Sequence, residues 1–128
     1  MKKEFEIQAE FFKKIRSVHF LYRYPKAEFI HAIPNGARVS IGQAVKLKKQ
    51  GLLSGVPDVF VPFPLYVRDK RIPYHGLYIE FKTLHGKLSA NQKRFAQHCE
   101  KYGYLHEVCC SAMEAYDVVL NYLMGRWE

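Results

Sequence analysis

The sequence predicts an α/β protein in which a small mixed β-sheet is flanked by helices, as one domain over residues 1–128. Helical and strand-like hydrophobic spacing alternate in the order helix, strand, helix, strand, strand, helix, strand, helix. The strand that contains Glu80 is followed by a helix over residues 89–102 and a strand over residues 105–110. That connection has the length of a right-handed crossover, so the two strands are expected to be parallel. The expected core is therefore αβββαβ, with extra helices.

The N-terminal part of the chain is expected to contain two helices with a short strand between them. Residues 4–22 form an amphipathic helix, and Pro25 ends it because proline disfavours helix at the residue before it. A strand over residues 28–33 ends at the turn Pro34-Asn35-Gly36. A second helix follows over residues 41–50. The predicted core-facing stripe of the first helix contains Phe5, Ala9, Phe12, Ile15 and His19.

The C-terminal part supplies the remaining strands and two further helices. Residues 56–64 and 74–83 are expected to be neighbouring antiparallel strands, joined by a basic loop. Ser89 is the expected N-cap of the crossover helix, and Ser111 caps the last helix. The expected buried stripe of the last helix contains Met113, Tyr116, Leu120 and Leu123.

The composition favours a polyanionic partner. The chain has 20 Lys and Arg against 12 Asp and Glu, which gives a formal net charge of +8. Nucleic acid is favoured over a membrane, because no segment combines a strongly basic face with a bulky apolar one. No apolar run is long enough to span a membrane, and the acidic start does not resemble a secretory signal. An odd number of cysteines without a Cys-x-x-Cys pair predicts reduced thiols in a cytoplasmic protein.

Two strand-like runs bring carboxylates into apolar surroundings. Because side chains alternate faces along a strand, Glu80 and Lys82 point to the same side. Asp58 and Glu80 are hard oxygen ligands suited to Mg²⁺ or Mn²⁺, and the backbone carbonyl of Phe81 could add a third oxygen. Lys82 could orient the attacking water or meet charge on a phosphate, so this set predicts a phosphodiester-cleaving nuclease. The first run begins with Gly55-Val56-Pro57-Asp58, and the second contains Ile79-Glu80-Phe81-Lys82.

These residues resemble the motif of the PD-(D/E)xK nuclease superfamily. The wider pattern is similar to its virus-type replication-repair nuclease (VRR-NUC) domain, in the short stand-alone form found in phages and bacteria. The spacing from Gly55 to Gln92 is the most specific part of the likeness. The matching stretches run nearly end to end: Glu4-x-x-x-Gln8, Pro34-Asn35-Gly36, Gly55-Val56-Pro57-Asp58, Ile79-Glu80-Phe81-Lys82, Gly86-Lys87-Leu88-Ser89 with Gln92, and Gly103-Tyr104.

The resemblance implies a restriction-endonuclease-like fold and divalent-metal nuclease activity on DNA. Stand-alone members of the family are described as homodimers that act on branched DNA such as four-way (Holliday) junctions. By the same likeness, Asp58 and Glu80 would be metal ligands for Mg²⁺ or Mn²⁺, and Lys82 the catalytic lysine. Gln92 would be the helix residue beside them, and Glu4 the acid offered by the first helix.

Two of these assignments have alternatives in the sequence itself. The position of Glu4 rests on its four-residue spacing to Gln8, and Glu6 or Glu10 could serve in its place. Gln92 is the third helical residue after Ser89, so a capping box explains it without catalysis. A site role for Gln92 is compatible with that cap.

Basic and polar residues around the two strands are the predicted DNA contacts. One group is a basic cluster in the loop between the strands, and a second follows the strand that contains Glu80. The residues are Arg68, Lys70, Arg71, His85, Lys87 and Asn35. The lysines of the helix over residues 41–50 are expected to form a solvated face.

The predicted function is a metal-dependent DNA endonuclease that prefers branched DNA. A nuclease acting on flaps or linear ends would use the same residues and differ only in substrate geometry. A non-catalytic basic nucleic-acid-binding module is the remaining alternative. It has no use for carboxylates that face the phosphate, because they repel it unless a cation intervenes.

Overall fold

The structure is a computed structural model that describes residues 1–35, 39–67, 70–71 and 74–127, without the side chains of residues 70 and 71. Its elements follow one another as α1 (Glu4–Ile15), α2 (Val18–Arg23), a 3₁₀ helix (Pro25–Phe29), β1 (His31–Ala32), α3 (Ile41–Lys49), β2 (Val59–Val61), β3 (Tyr66–Val67), β4 (Lys70–Arg71), β5 (Leu77–Phe81), α4 (Ala90–Tyr102), β6 (Leu105–Cys109) and α5 (Ala112–Leu123).

Four of the strands form one mixed sheet in the order β1-β2-β5-β6. β1 and β2 are antiparallel, β2 and β5 are antiparallel, and β5 and β6 are parallel. Helix α4 makes the crossover between the parallel pair, as the length of that connection predicts. The predicted α/β class, with a mixed sheet flanked by helices, is confirmed.

Helices cover both faces of this sheet. On one face, Phe81 of β5 packs against Phe11 of α1, with ring centroids 5.5 Å apart. On the other face, Tyr78 of β5 packs edge to face against Phe95 of α4, with centroids 5.1 Å apart. Because side chains alternate along β5, Glu80 lies on the α4 side together with Tyr78. The main core fills the opposite side, where Leu77, Ile79 and Phe81 are fully buried.

The single helix predicted over residues 4–22 is wrong, because two helices occupy this segment. Ser17 interrupts the first and caps the second, since its hydroxyl accepts a hydrogen bond from the backbone N–H of Phe20 at 3.2 Å. A serine side chain that bonds to a nearby backbone N–H favours a new helix start over continuation. The predicted strand over residues 28–33 shrinks to two residues, because a 3₁₀ helix beginning at Pro25 takes up its first half.

The predicted stripe of α1 is also largely wrong. The buried residues are Ile7, Phe11 and Ile15, which recur every four positions. Phe5 is 56% exposed and Ala9 and His19 are exposed, so only Ile15, and Phe12 in part, belong to the core side. The large aromatic at position 5 suggested a stripe rotated away from the true one, whereas the smaller Ile7 is the buried residue.

The last helix shows a similar displacement. Its buried residues are Ala112, Ala115, Val119 and Tyr122, whereas Met113 of the predicted stripe is 53% exposed. Tyr116, Leu120 and Leu123 are partly buried and flank the core. The small alanines are buried on the core side of this helix together with Val119 and Tyr122.

The caps and the strand order in the C-terminal part agree with the sequence. Ser89, Ser111 and Ser40 each cap the helix that follows, and Gly103, with φ of 81°, ends α4. The strands predicted over residues 56–64 and 74–83 are shorter than expected. The first of them ends at Val61, because Pro62 and Pro64 cannot donate to a sheet ladder. The basic loop between them contains the hairpin β3–β4, in which Tyr66 pairs with Arg71.

In the part of the chain that is described, none of the helices combines the length and the apolar character that crossing a membrane requires.

The loop before β2 is fastened to the start of α4 by a close backbone contact. Gly55 has φ of 95°, and a Cβ placed on it would lie 2.4 Å from the carbonyl oxygen of Asn91. The amide Nδ2 of Asn91 donates to the hydroxyl of Ser54 at 3.1 Å. Glycine at position 55 therefore lets the chain that leads to Asp58 touch the helix.

We expect Gly55→Ala to lower the free energy of unfolding by about 2–5 kcal/mol, because it adds both positive-φ strain and a steric clash. Gly42→Ala is the matched control, because a Cβ there meets nothing within 4 Å. In helix α3 it should stabilise the protein by about 0.5 kcal/mol. Urea unfolding of both variants measures the difference, and equal stabilities would contradict the close contact.

Candidate active site

Asp58 and Glu80 face each other across neighbouring strands. Val59 pairs with Ile79, so the register places Asp58 directly opposite Glu80. Both side chains are buried, with exposed fractions of 4% for Asp58 and 2% for Glu80. The carboxylate Oδ2 of Asp58 accepts a hydrogen bond of 2.8 Å from the backbone N–H of Phe81. This bond fixes the Asp58 side chain between the strands, next to Glu80.

The proximity of the two acids changes the protonation of Glu80. Burial, a hydrogen bond to Asp58 and the negative charge of Asp58 raise the pKa of Glu80 from 4.5 to about 9, and the charge of Glu4 adds to the rise. Lys82 opposes it. The oxygen Oε1 of Glu80 is buried and has no hydrogen-bond partner among the described residues. A buried acceptor without a donor is costly and fits a site that receives a cation.

Lys82 lies on the same side of β5 as Glu80 but does not neutralise it directly. Within the described ranges, Lys82 makes no ion pair, but its charge lowers the pKa of Glu80. The side chain is half-buried, and its stem runs past the turn at Gly86, where a Cβ would lie 3.4 Å from Cδ of Lys82. Its ammonium therefore remains available to a ligand at the site.

The structure distinguishes the three acids of the first helix. Glu6 accepts the backbone N–H of Lys3 at 3.1 Å and belongs to the helix cap. Glu10 is paired with Lys2 at 2.6 Å. Glu4 is half-buried, and its charge contributes to the raised pKa of Glu80. Glu4 is therefore the acid of this helix whose charge acts on Glu80.

Gln8 lies one turn after Glu4, and the sequence assigns it no role beyond its four-residue spacing from Glu4. Its amide oxygen Oε1 is buried and, among the described residues, has no hydrogen-bond donor. Residues four apart lie on the same helix face, so Gln8 follows Glu4 along one side of α1. An unpartnered amide on the polar side of an amphipathic helix cannot be recognised from spacing alone, because most such amides are solvated.

The donor set fits a Mg²⁺-like ion that keeps water ligands. Mg²⁺ is commonly held by one or two carboxylates together with waters and substrate oxygens. Asp58 and Glu80 supply two such carboxylates, and the Phe81 backbone lies beside them. Among the described residues, no group of three or more His, Cys, Asp or Glu side chains forms a complete metal cage. Two buried carboxylates with an unpartnered oxygen match an open site of this kind.

Gln92 forms the predicted capping box. Its Oε1 accepts the backbone N–H of Ser89 at 2.8 Å, and its own N–H donates to the Ser89 hydroxyl at 3.2 Å. Gln92 also lines a groove of about 430 Å³ together with Asn35. The cap accounts for the position of Gln92, and a contact with substrate from the groove stays a prediction.

The structure describes the side chains of only some of the predicted DNA contacts. His85 and Lys87 are exposed in the segment that follows Lys82. Asn35 is exposed at the groove, two residues after Ile33, whose backbone N–H donates to the carbonyl of Asp58 at 2.8 Å. Arg68 and the side chains of Lys70 and Arg71 lie outside the described residues, and so does Gly36 of the predicted turn.

Comparisons with known proteins give one family and a solved structure of the same family. The model of the VRR-NUC domain matches residues 7–113, which include Gln8, Asp58, Glu80, Lys82 and Gln92. A solved chain described as a VRR_NUC domain protein superimposes with a TM-score of 0.73 at 25% identity, covering 95% of this chain and 88% of that one. No curated protein matches the chain.

Without divalent metal, we expect stability to fall as pH rises through the range in which Glu80 is protonated only in the folded state. The folded protein holds this proton up to about pH 9, whereas an unfolded chain loses it near 4.5, so unfolding releases a proton between these values. Glu80→Gln keeps the side-chain shape and cannot ionise, so its Tm should fall less over the same range. Thermal unfolding in EDTA at pH values from 5 to 9 measures this. Identical slopes for both proteins would contradict the assignment.

Proposed function

Because the chain belongs to the VRR-NUC family, and is therefore a nuclease, we propose that it is a metal-dependent DNA endonuclease whose centre is the Asp58–Glu80 pair. The observation that supports this most is the burial of both carboxylates, with Oε1 of Glu80 lacking a partner in the described part of the chain. A purely structural acid pair would be expected to have its oxygens satisfied by protein donors. An open acceptor is what a cation-binding site requires.

Asp58, Glu80 and the carbonyl of Phe81 are the residues that we propose to hold Mg²⁺ or Mn²⁺. When bound, such an ion supplies positive charge to a phosphate and lowers the pKa of a water. Asp58 is pre-oriented by the N–H of Phe81. Glu80 must give up the proton that its raised pKa favours, so cation binding and deprotonation of Glu80 are coupled.

Lys82 and Glu4 have separate tasks in this proposal. The Lys82 ammonium has no ion-pair partner among the described side chains, so it is free to meet the charge that develops on the phosphate or to orient the attacking water. Glu4 lies on another element, α1, and its negative charge acts on Glu80. That charge favours a cation in the site and can accept a hydrogen bond from a water there.

DNA is the proposed substrate because of the charge of the chain and the family. A net charge of +8 attracts a polyanion, and phosphate contacts supply most of the sequence-independent affinity for DNA. The binding-only alternative is disfavoured by the buried acids, since two carboxylates would repel a phosphate in the absence of a cation.

Branched DNA and a homodimer extend the proposal through the family likeness. A four-way junction is resolved by two symmetric cuts, and a dimer provides two equivalent sites. Cleavage of flaps or linear ends by a monomer remains the competing substrate class, and it uses the same residues.

We expect Asp58→Asn, Glu80→Gln and Lys82→Met each to reduce DNA cleavage at least roughly a hundredfold, because each removes a group that acts on the reacting phosphate. Labelled junction, flap and linear duplex DNA are incubated with Mg²⁺, Mn²⁺ or EDTA. Glu100→Gln is the control, since Glu100 is an exposed acid on α4 away from the pair. Metal-independent cleavage, or full activity of Glu80→Gln, would show that the proposed centre is wrong.

If branched DNA is the substrate, the wild-type protein should sediment as a dimer and cut both strands of a four-way junction faster than linear duplex. Analytical ultracentrifugation and single-turnover cleavage measure the two properties. A monomer that cuts linear ends or flaps faster than junctions would reject the junction preference and leave the metal-dependent centre in place.

A further inference from the structure

A polar groove runs beside the acid pair between α3, the loop over residues 52–56 and α4. It consists of two hollows of about 430 and 250 Å³ that share Leu53, Ser54 and Asn91. Lys48 of α3 lines the larger hollow, and Arg94 of α4 lines the smaller one. Both hollows lie near the size range of ligand sites, and together they make an elongated surface.

The larger hollow begins next to the proposed centre. Two of its wall residues, Pro34 and Asn35, directly follow Ile33, whose N–H is bonded to the carbonyl of Asp58. A third wall residue, Val56, is two positions before Asp58. The wall of the larger hollow therefore lies close to Asp58 along the chain and through this backbone hydrogen bond.

Each hollow of the groove has one cationic side chain in its described lining. Lys48 and Arg94 are exposed, and neither makes an ion pair within the described chain. The described lining of both hollows contains no Asp or Glu. Cations that lack acidic neighbours are available for phosphates.

The wall of the groove is held in place without a ligand. Asn91 donates to Ser54, and the backbone of Gly55 lies against Asn91. The loop and the start of α4 thus form one unit. A preformed surface lowers the ordering cost of binding, which favours its use as a binding track.

We propose that this groove holds the DNA strand on one side of the scissile phosphate, with Lys48 and Arg94 contacting two different phosphates. The inference rests on the proposed function, because the groove is assigned through its position next to Asp58. The two cations are assigned to separate phosphates because they line separate hollows. Neither residue belongs to the proposed catalytic set, so their loss should weaken binding and leave the metal-dependent step in place.

The chain provides a neighbouring control for each residue. Lys49 follows Lys48 on α3, and Lys93 precedes Arg94 on α4; both controls are exposed and absent from the groove lining. Lys48→Gln is compared with Lys49→Gln, and Arg94→Gln is compared with Lys93→Gln. Each groove variant and its control thus lose one positive charge from the same helix. Fluorescence anisotropy with labelled duplex and four-way junction DNA, in EDTA, measures affinity over a series of salt concentrations.

We expect each groove variant to bind DNA roughly tenfold more weakly at low salt, because each loses a charge-assisted contact. Its plot of log affinity against log salt concentration should be less steep by about one, because one phosphate contact is lost. The two controls should retain the wild-type slope. The two controls should also cleave DNA with Mn²⁺ at the wild-type rate.

Equal effects from all four substitutions, or none from the groove variants, would overturn the groove assignment while wild-type binding and cleavage still stand. If the wild-type protein neither binds nor cleaves DNA, the proposed function fails before the groove is tested, and the groove assignment fails with it. The wild-type and variant measurements therefore separate the two failures.

Discussion

The mutual burial of two carboxylates constrains this structure more than any other interaction. Asp58 and Glu80 are brought together by the antiparallel register of β2 and β5, and Asp58 is held by the backbone N–H of Phe81. Two buried acids in contact cannot both be charged at low energy, so the pair must hold a proton or receive a cation. The raised pKa of Glu80 means that, without a cation, Glu80 holds the proton.

The surrounding elements do not neutralise the acid pair. A salt bridge to Lys82 would satisfy Glu80 inside the protein, yet Lys82 stays outside ion-pair distance among the described residues and only lowers the pKa of Glu80. Glu4 adds a further negative charge, and Gln8 presents a buried oxygen without a donor in the described structure. The oxygen of Glu80 that lacks a donor within the described chain, and the negative charges near it, suit a cation, which explains why a folded protein would retain an arrangement that costs stability.

The sequence predicted the acid pair because strand periodicity and motif spacing act over short distances. Glu80 and Lys82 share a face by alternation alone, and the Ser89 cap is a local hydrogen bond. The helix break at Ser17 could not be predicted, because Ser17 can either continue a helix or cap a new one. The amphipathic pattern of the sequence runs through this position, so one helix was expected. The groove could not be predicted, since Lys48 and Arg94 lie on separate helices that only the tertiary fold brings to one surface.

Cation binding by the pair is the central claim, and titration of Mn²⁺ into the protein, followed by electron paramagnetic resonance, tests it most directly. The wild-type protein and Glu100→Gln should bind Mn²⁺ at one class of site, with affinity that rises with pH as Glu80 loses its proton. Asp58→Asn and Glu80→Gln should lose that site while remaining folded. Unchanged Mn²⁺ affinity in both folded variants would show that the acid pair is not the metal centre.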